Sequence, residues 1–186
     1  MYLKNDRNNL ELFYKIMKSI LLALLLLSTT MCIKKEPIPT ILPEATTYGA
    51  NTFGCRINND IFIPKTTTPF SPRAISWTFP DSPINFFRIS ARRSTNNDKD
   101  PTNRADVYFN IVSLTKIGPH SFNSGSVEYK GIEYDLDTAS SKDEIFITKL
   151  DTVAKIVSGT FSFSATNNNK TITVSEGRFD LKSDMQ

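Results

Sequence analysis

The stretch "VSGTFSFSATNNNKTITVSEGRFDLK", residues 157–182, decides the fold. Within it Phe161, Phe163 and Ala165 alternate with Thr160, Ser162 and Ser164. After the asparagines the alternation resumes through "KTITVSE" and "GRFDL", with Phe179 and Leu181 on the inward face. Strict period two over short runs marks half-buried antiparallel strands, because successive side chains leave a strand on opposite faces. "TNNNK" supplies the tight connection, since Asn tolerates the positive φ such turns use. Gly159 and Gly177 read as strand starts.

The same pattern extends upstream. Phe53, Cys55 and Ile57 share one face, and "NND" followed by "IFIP" completes a hairpin. Phe87, Ile89 and Ala91 alternate with polar partners. Val107, Phe109 and Ile111 form one face of "DVYFNIVSL", with Tyr108, Val112 and Leu114 on the other. In "KDEIFITKLDTVAKIV", Ile145 and Ile147 alternate, and a turn around Asp151–Ala154 leads into a strand from Lys155. "TNNDKDPTN", "PHSFNSG" and "TASSKDE" have loop composition. No helical period longer than a turn or two follows residue 36. About nine short strands predict an all-β domain over 49–186: a single antiparallel β-sandwich, with a partly open β-barrel as the alternative.

The N-terminus is of another kind. Ile20 to Leu27 are uninterrupted apolar residues, about 12 Å as a helix against a hydrocarbon core of about 30 Å. That is too short to span and suits a secretory signal, with Lys15 and Lys18 as its positive flank. Residues 1–31 are therefore read as a signal peptide. Met17 is read as the true start and 1–16 as an over-extended one. "STTMC" then resembles the lipobox of bacterial lipoproteins, in which the cysteine is acylated and becomes the first mature residue. Met31 stands where a small residue is usual, and Thr29 where Leu is usual. The resemblance implies lipidation at Cys32 and a multi-chain anchor, which holds stably where one chain binds only marginally. Residues 32–48 carry Pro37, Pro39 and Pro43, which block regular helix, and read as an extended tether.

The ends of the domain carry a second resemblance. "LPEATTYGANTFGCRINNDIFIPK" and the 157–182 stretch resemble an uncharacterised family of Bacteroidota all-β envelope lipoproteins. Its members open with a Pro-rich linker and an "ANTFGC" hairpin and close with a "GTFSF…GRFD" hairpin. Here Asn59-Asp60 replaces the usual Asn-Gly, and Ser175-Glu176-Gly177 replaces Thr-Asn-Gly. The resemblance implies an outer-membrane lipoprotein, on either face of that membrane. It implies no activity and no site residues.

Charge narrows the partners. The chain has a net charge of +3, of which +2 lies in residues 1–31. A near-neutral domain has no strong pull toward nucleic acid. The candidate chemistry is sparse. His120, the only histidine, sits in a loop-like stretch and cannot build a His-rich metal site. Cys55 shares the face of Phe53 and Ile57 and reads as a small core residue. Glu133, Asp135 and Asp137 share one face of a strand, with about 7 Å between alternate residues. Carboxylates at that spacing suit glycoside hydrolysis or calcium, and they equally suit a face pointed at water while Ile132, Tyr134 and Leu136 turn inward. Asp98 and Asp100 are a polar loop without the glycine and glutamate of an EF-hand. Trp77, Tyr108, Tyr129 and Tyr134 are the rings that would stack on a sugar; Trp77, between Ser76 and Thr78, reads as core. The expected protein is a lipid-anchored, non-catalytic binding or structural module for a glycan or protein, without a cofactor. The alternative is a glycoside hydrolase-like enzyme working from the acidic face.

Overall fold

The computed structural model describes residues 11, 13–20, 40–65, 74–80, 85–94, 104–138 and 143–183. Cys32, Asp98 and Asp100 lie outside them. The chain divides into two units, Met1–Ile38 and Pro39–Gln186. In the first, residues 11 and 13–20 are helical. Among the described residues no helix is long and apolar enough to cross a membrane.

Among its described residues the second unit is built of strands joined by turns and loops. Its elements are β1 (Thr52–Ile57), β2 (Asp60–Phe62), β3 (Ile75–Thr78), β4 (Phe87–Arg93), β5 (Ala105–Ile111) and β6 (Gly118–His120). They continue with β7 (Ser124–Tyr129), β8 (Ile132–Leu136), β9 (Glu144–Asp151), β10 (Ile156–Asn167) and β11 (Lys170–Lys182). Nine of them run in one sheet in the order β2-β1-β11-β10-β8-β7-β5-β4-β3. β10 is long enough to pair twice along one edge, with β9 over Ile156–Ser162 and with β8 at Ala165–Thr166. β6 adds to β9.

The expected sandwich of two sheets is thus replaced by its alternative: one antiparallel sheet curled into a half-barrel. The curl is visible in hydrogen bonds. Lys65, just past β2, forms a bridge with Arg93 of β4, although β2 and β4 stand near opposite ends of the strand order. The Lys65 N–H donates to the Arg92 carbonyl at 3.0 Å, and the Ser94 N–H donates to the Lys65 carbonyl at 3.0 Å.

Phenylalanine fills the concave side. Phe109 of β5 meets Phe161 of β10 at 5.0 Å between ring centroids, and Phe87 of β4 meets Phe179 of β11 at 5.6 Å. These rings come from strands far apart in the sheet, so they hold the curl as well as the core. Each fully buried ring stabilises the fold by about 1.5–3 kcal/mol.

The hairpins follow local chemistry. Asn168 and Asn169 take φ of 45° and 66° between β10 and β11, and Lys130 and Gly131 take 54° and 77° between β7 and β8. Two successive positive φ values make the turn whose twist matches a right-handed strand pair. The Asp151 carboxylate accepts from the Val153 and Ala154 N–H groups and fixes the β9–β10 turn.

Gly159 and Gly177 are not strand starts; they lie inside β10 and β11, each opposite a phenylalanine. A Cβ on Gly177 would sit 2.5 Å from the Phe161 carbonyl oxygen and 2.6 Å from its ring. A Cβ on Gly159 would sit 2.8 Å from the Phe179 ring. The missing side chains let each ring lie over the neighbouring backbone. Next to Gly177, β11 bulges: Phe161 faces Gly177 but Phe163 faces Val174. Glu176, in the bulge, takes a φ of 50°. Two smaller readings also change. Leu114 turns into the core at 1% exposure, and Ile132, beside the β7–β8 turn, stays exposed.

Candidate functional site

The expected site residues do not converge. Glu133 and Asp135 project outward from β8 into solvent and Asp137 follows them, while Tyr134 and Leu136 are buried. Glu133 faces Glu128 of β7 across the strand pair, and Glu128 lies 3.5 Å from the Arg104 guanidinium. These acids therefore spread over the outer face of the sheet. Among the described residues no group of three His, Cys, Asp or Glu side chains is placed to hold a metal ion.

His120 lies on the short strand β6, where a loop was expected, with Nε2 2.9 Å from the Lys116 carbonyl oxygen. Cys55 is a free, fully buried thiol. Burial pushes its pKa far above the ordinary value, against a smaller opposing pull from Arg93. A neutral, enclosed thiol is a poor nucleophile. Trp77 is half-buried and packs against Phe79 and Phe87. Tyr134 is buried too, which leaves Tyr108 and Tyr129 as the rings with an outward edge.

Tyr129 belongs to a cluster where β2 crosses the end of β7. Its hydroxyl donates to Asp60 Oδ2, and Lys130 sits 3.5 Å from the same oxygen with its ammonium 4.7 Å from the Tyr129 ring centroid. The Tyr129 hydroxyl is the main cause holding the Asp60 carboxyl below the ordinary aspartate pKa. Burial, then the Asp60 contact, raises the Tyr129 pKa.

Among the described residues the most enclosed charged group is one that the sequence did not flag. Asp180 of β11 is 1% exposed. Its Oδ1 accepts from the Gly49 N–H at 2.9 Å and the Ser158 hydroxyl at 2.6 Å. Its Oδ2 accepts from the Thr46 hydroxyl at 2.6 Å, the Ala50 N–H at 2.9 Å and the Tyr48 N–H at 3.2 Å. Burial pushes the Asp180 pKa up, but the donors from Ser158, Thr46, Ala50 and Gly49 outweigh it and hold the carboxyl below the ordinary value. Three consecutive amides aimed at one carboxylate form an anion-binding concavity of backbone. Gly49, at a φ of 84°, supplies the positive φ that this segment requires.

The docked segment continues upstream. Pro43 packs against Gly54, where a Cβ would sit 2.6 Å from the Pro43 ring, and the Arg178 guanidinium donates to the Pro43 carbonyl at 3.3 Å. Part of the stretch read as tether is thereby fixed along β1 and β11. The available signal was an aspartate in a strand interior, a place that Asp rarely takes without a partner. No family model, curated protein or solved structure matches this chain.

Proposed function

We propose that this chain is an envelope lipoprotein of the bacterial outer membrane, acylated at Cys32, whose half-barrel is a non-catalytic binding or structural module. The observation that supports the reading is the Asp180 clasp. A domain tied to a bilayer at its N-terminus feels every displacement through the point where tether meets fold. Here that point is held by four hydrogen bonds from Thr46, Tyr48, Gly49 and Ala50 to one buried carboxylate. Upstream of the docked Leu42 and Pro43, residues 33–41 reach at most about 30 Å when extended, enough to lift the module clear of lipid headgroups.

The test is mass spectrometry of the mature protein from membranes, with cell fractionation of C32S. An acylated N-terminal Cys32, and release of C32S from the membrane fraction, are expected. A free N-terminus elsewhere, or C32S that stays on the membrane, refutes the reading.

A further inference from the structure

On the outer face of the sheet, register places Arg88 of β4 opposite Asn110 of β5, and Asn110 opposite Ser124 of β7. Tyr108 shares that face two residues along β5. Alternation turns these side chains away from the core, into which Phe87, Phe109 and Ile111 point. Asn110 is nevertheless only 5% exposed. Its Nδ2 donates to the Tyr108 hydroxyl at 2.9 Å and to Ser124 Oγ at 2.6 Å. Its Oδ1 is buried without a partner. Turning the amide end for end moves the deficit to the NH2 group and does not remove it. Buried amides are rarely left so, because the lost hydrogen bond is not replaced by water. Its missing donor is an ordered water or a group of a bound ligand.

Arg88 is the second observation. It is exposed, and its guanidinium lies 5.0 Å from the Phe86 ring centroid and 5.7 Å from that of Tyr108. Arg56, Arg92, Arg104 and Arg178 are each matched by a carboxylate. Among the described residues Arg88 is not. Asp135, on the same face, is three strands away, about 14 Å and beyond a physiological Debye length. Rings beside a guanidinium restrict it to a few orientations, which suits bidentate capture of an oxyanion. Asn110 meanwhile occupies the acceptor side of both the Tyr108 and the Ser124 hydroxyls, leaving their protons for a ligand.

We propose that this row is a binding site for an acidic saccharide. A uronate carboxylate sits on Arg88, and ring hydroxyls meet Tyr108, Asn110 and Ser124. A folded protein partner fits less well. Ser76, Thr78, Ser90 and Ser126 surround the row, and its two rings, Phe86 and Tyr108, lie against Arg88, which leaves a mostly polar face for a partner to cover. The proposal rests on the reading of the domain as a binding module and is independent of acylation at Cys32.

The test is calorimetric titration of the full chain in detergent with trigalacturonate, neutral galactotriose and inorganic phosphate in parallel. Trigalacturonate binds, galactotriose binds at least about tenfold more weakly, and R88Q loses about tenfold or more toward trigalacturonate alone. Y108F, which keeps the ring and removes the donor, shows a smaller loss. Equal binding of the acidic and neutral sugars, no binding of either, or an R88Q chain that binds as the wild type does overturns the proposal. Phosphate binding as well as trigalacturonate overturns the saccharide assignment, since the sugar would then add nothing. Membrane attachment is scored separately by the mass of the Cys32 fragment, so either reading can fail without the other.

Discussion

Replacing Asp180 by asparagine is the sharpest test of how the N-terminal segment is held. The amide is nearly isosteric, so packing is kept and only hydrogen bonding changes. The NH2 group is best placed where Oδ1 was, because the Ser158 hydroxyl can rotate to accept from it. The Gly49 N–H then faces another N–H and is left without a partner. A buried unsatisfied donor costs about 1–3 kcal/mol. The bonds from Thr46, Tyr48 and Ala50 to Oδ2 survive but lose their charge assistance, about 1 kcal/mol each. The expected destabilisation is about 4–6 kcal/mol, a large part of an ordinary domain's stability. With a urea slope of about 2 kcal/mol/M, the midpoint falls by about 2–3 M. Hydrogen exchange reports the location: the amides of Gly49 and Ala50 lose protection first, ahead of those in the β10–β11 hairpin. A midpoint within about 0.3 M of wild type, with Gly49 and Ala50 still protected, would refute the reasoning.

The pH dependence has a definite sign. A carboxyl whose folded pKa lies below its unfolded value contributes stability that is fully present above the unfolded pKa, roughly 4. That contribution is lost as pH falls from there through the folded value. Wild type therefore loses stability in acid more steeply than D180N, which has no proton to take up at this position.

Three further outcomes follow from other parts of the sheet. G177A drives a methyl into the Phe161 carbonyl and ring and lowers stability by about 1–3 kcal/mol in the same urea experiment, with G159A behaving similarly against Phe179. Cys55 does not react with a thiol reagent in the folded chain, and its labelling tracks global unfolding; fast labelling of native protein would contradict its burial. Y129F removes the donor to Asp60, and the Asp60 carboxyl, followed by NMR titration, moves up toward the ordinary aspartate value.

The strands were legible because the chemistry that makes them is local. Alternation marks Phe161 and Phe163, and consecutive asparagines mark their turn, whatever lies elsewhere in the chain. Four things were not legible, and each depends on register or on distance along the chain. The half-barrel in place of a sandwich turns on which strands β10 pairs with, and alternation is the same in both architectures. Gly159 and Gly177 looked like boundaries because a strand-interior glycine is unfavourable alone. Only the cross-strand phenylalanines make it the right residue. Asp180 looked like one more outward polar residue, because its partners Thr46 and Gly49 lie 134 and 131 positions away. Arg88, Asn110 and Ser124 form a row only once β4, β5 and β7 are in register.

That sequence distance makes a kinetic prediction. The β10–β11 hairpin is local and closes through a two-asparagine turn, whereas β1 and the docked segment must find β11 across most of the chain. Closing so long a loop costs entropy before any contact repays it, so such pairing tends to come late. Asp180 lies on an early element but contacts a late one. Its bonds to Thr46, Tyr48, Gly49 and Ala50 are then absent from the transition state, and D180N should act almost wholly on unfolding. In stopped-flow chevrons the unfolding limb of D180N rises by about the full change in stability, while the folding limb overlays wild type. G177A sits inside the hairpin and should slow folding instead. A folding limb slowed by D180N as much as by G177A would mean that the two ends of the chain meet early, and that the clasp helps to build the sheet as well as to hold it.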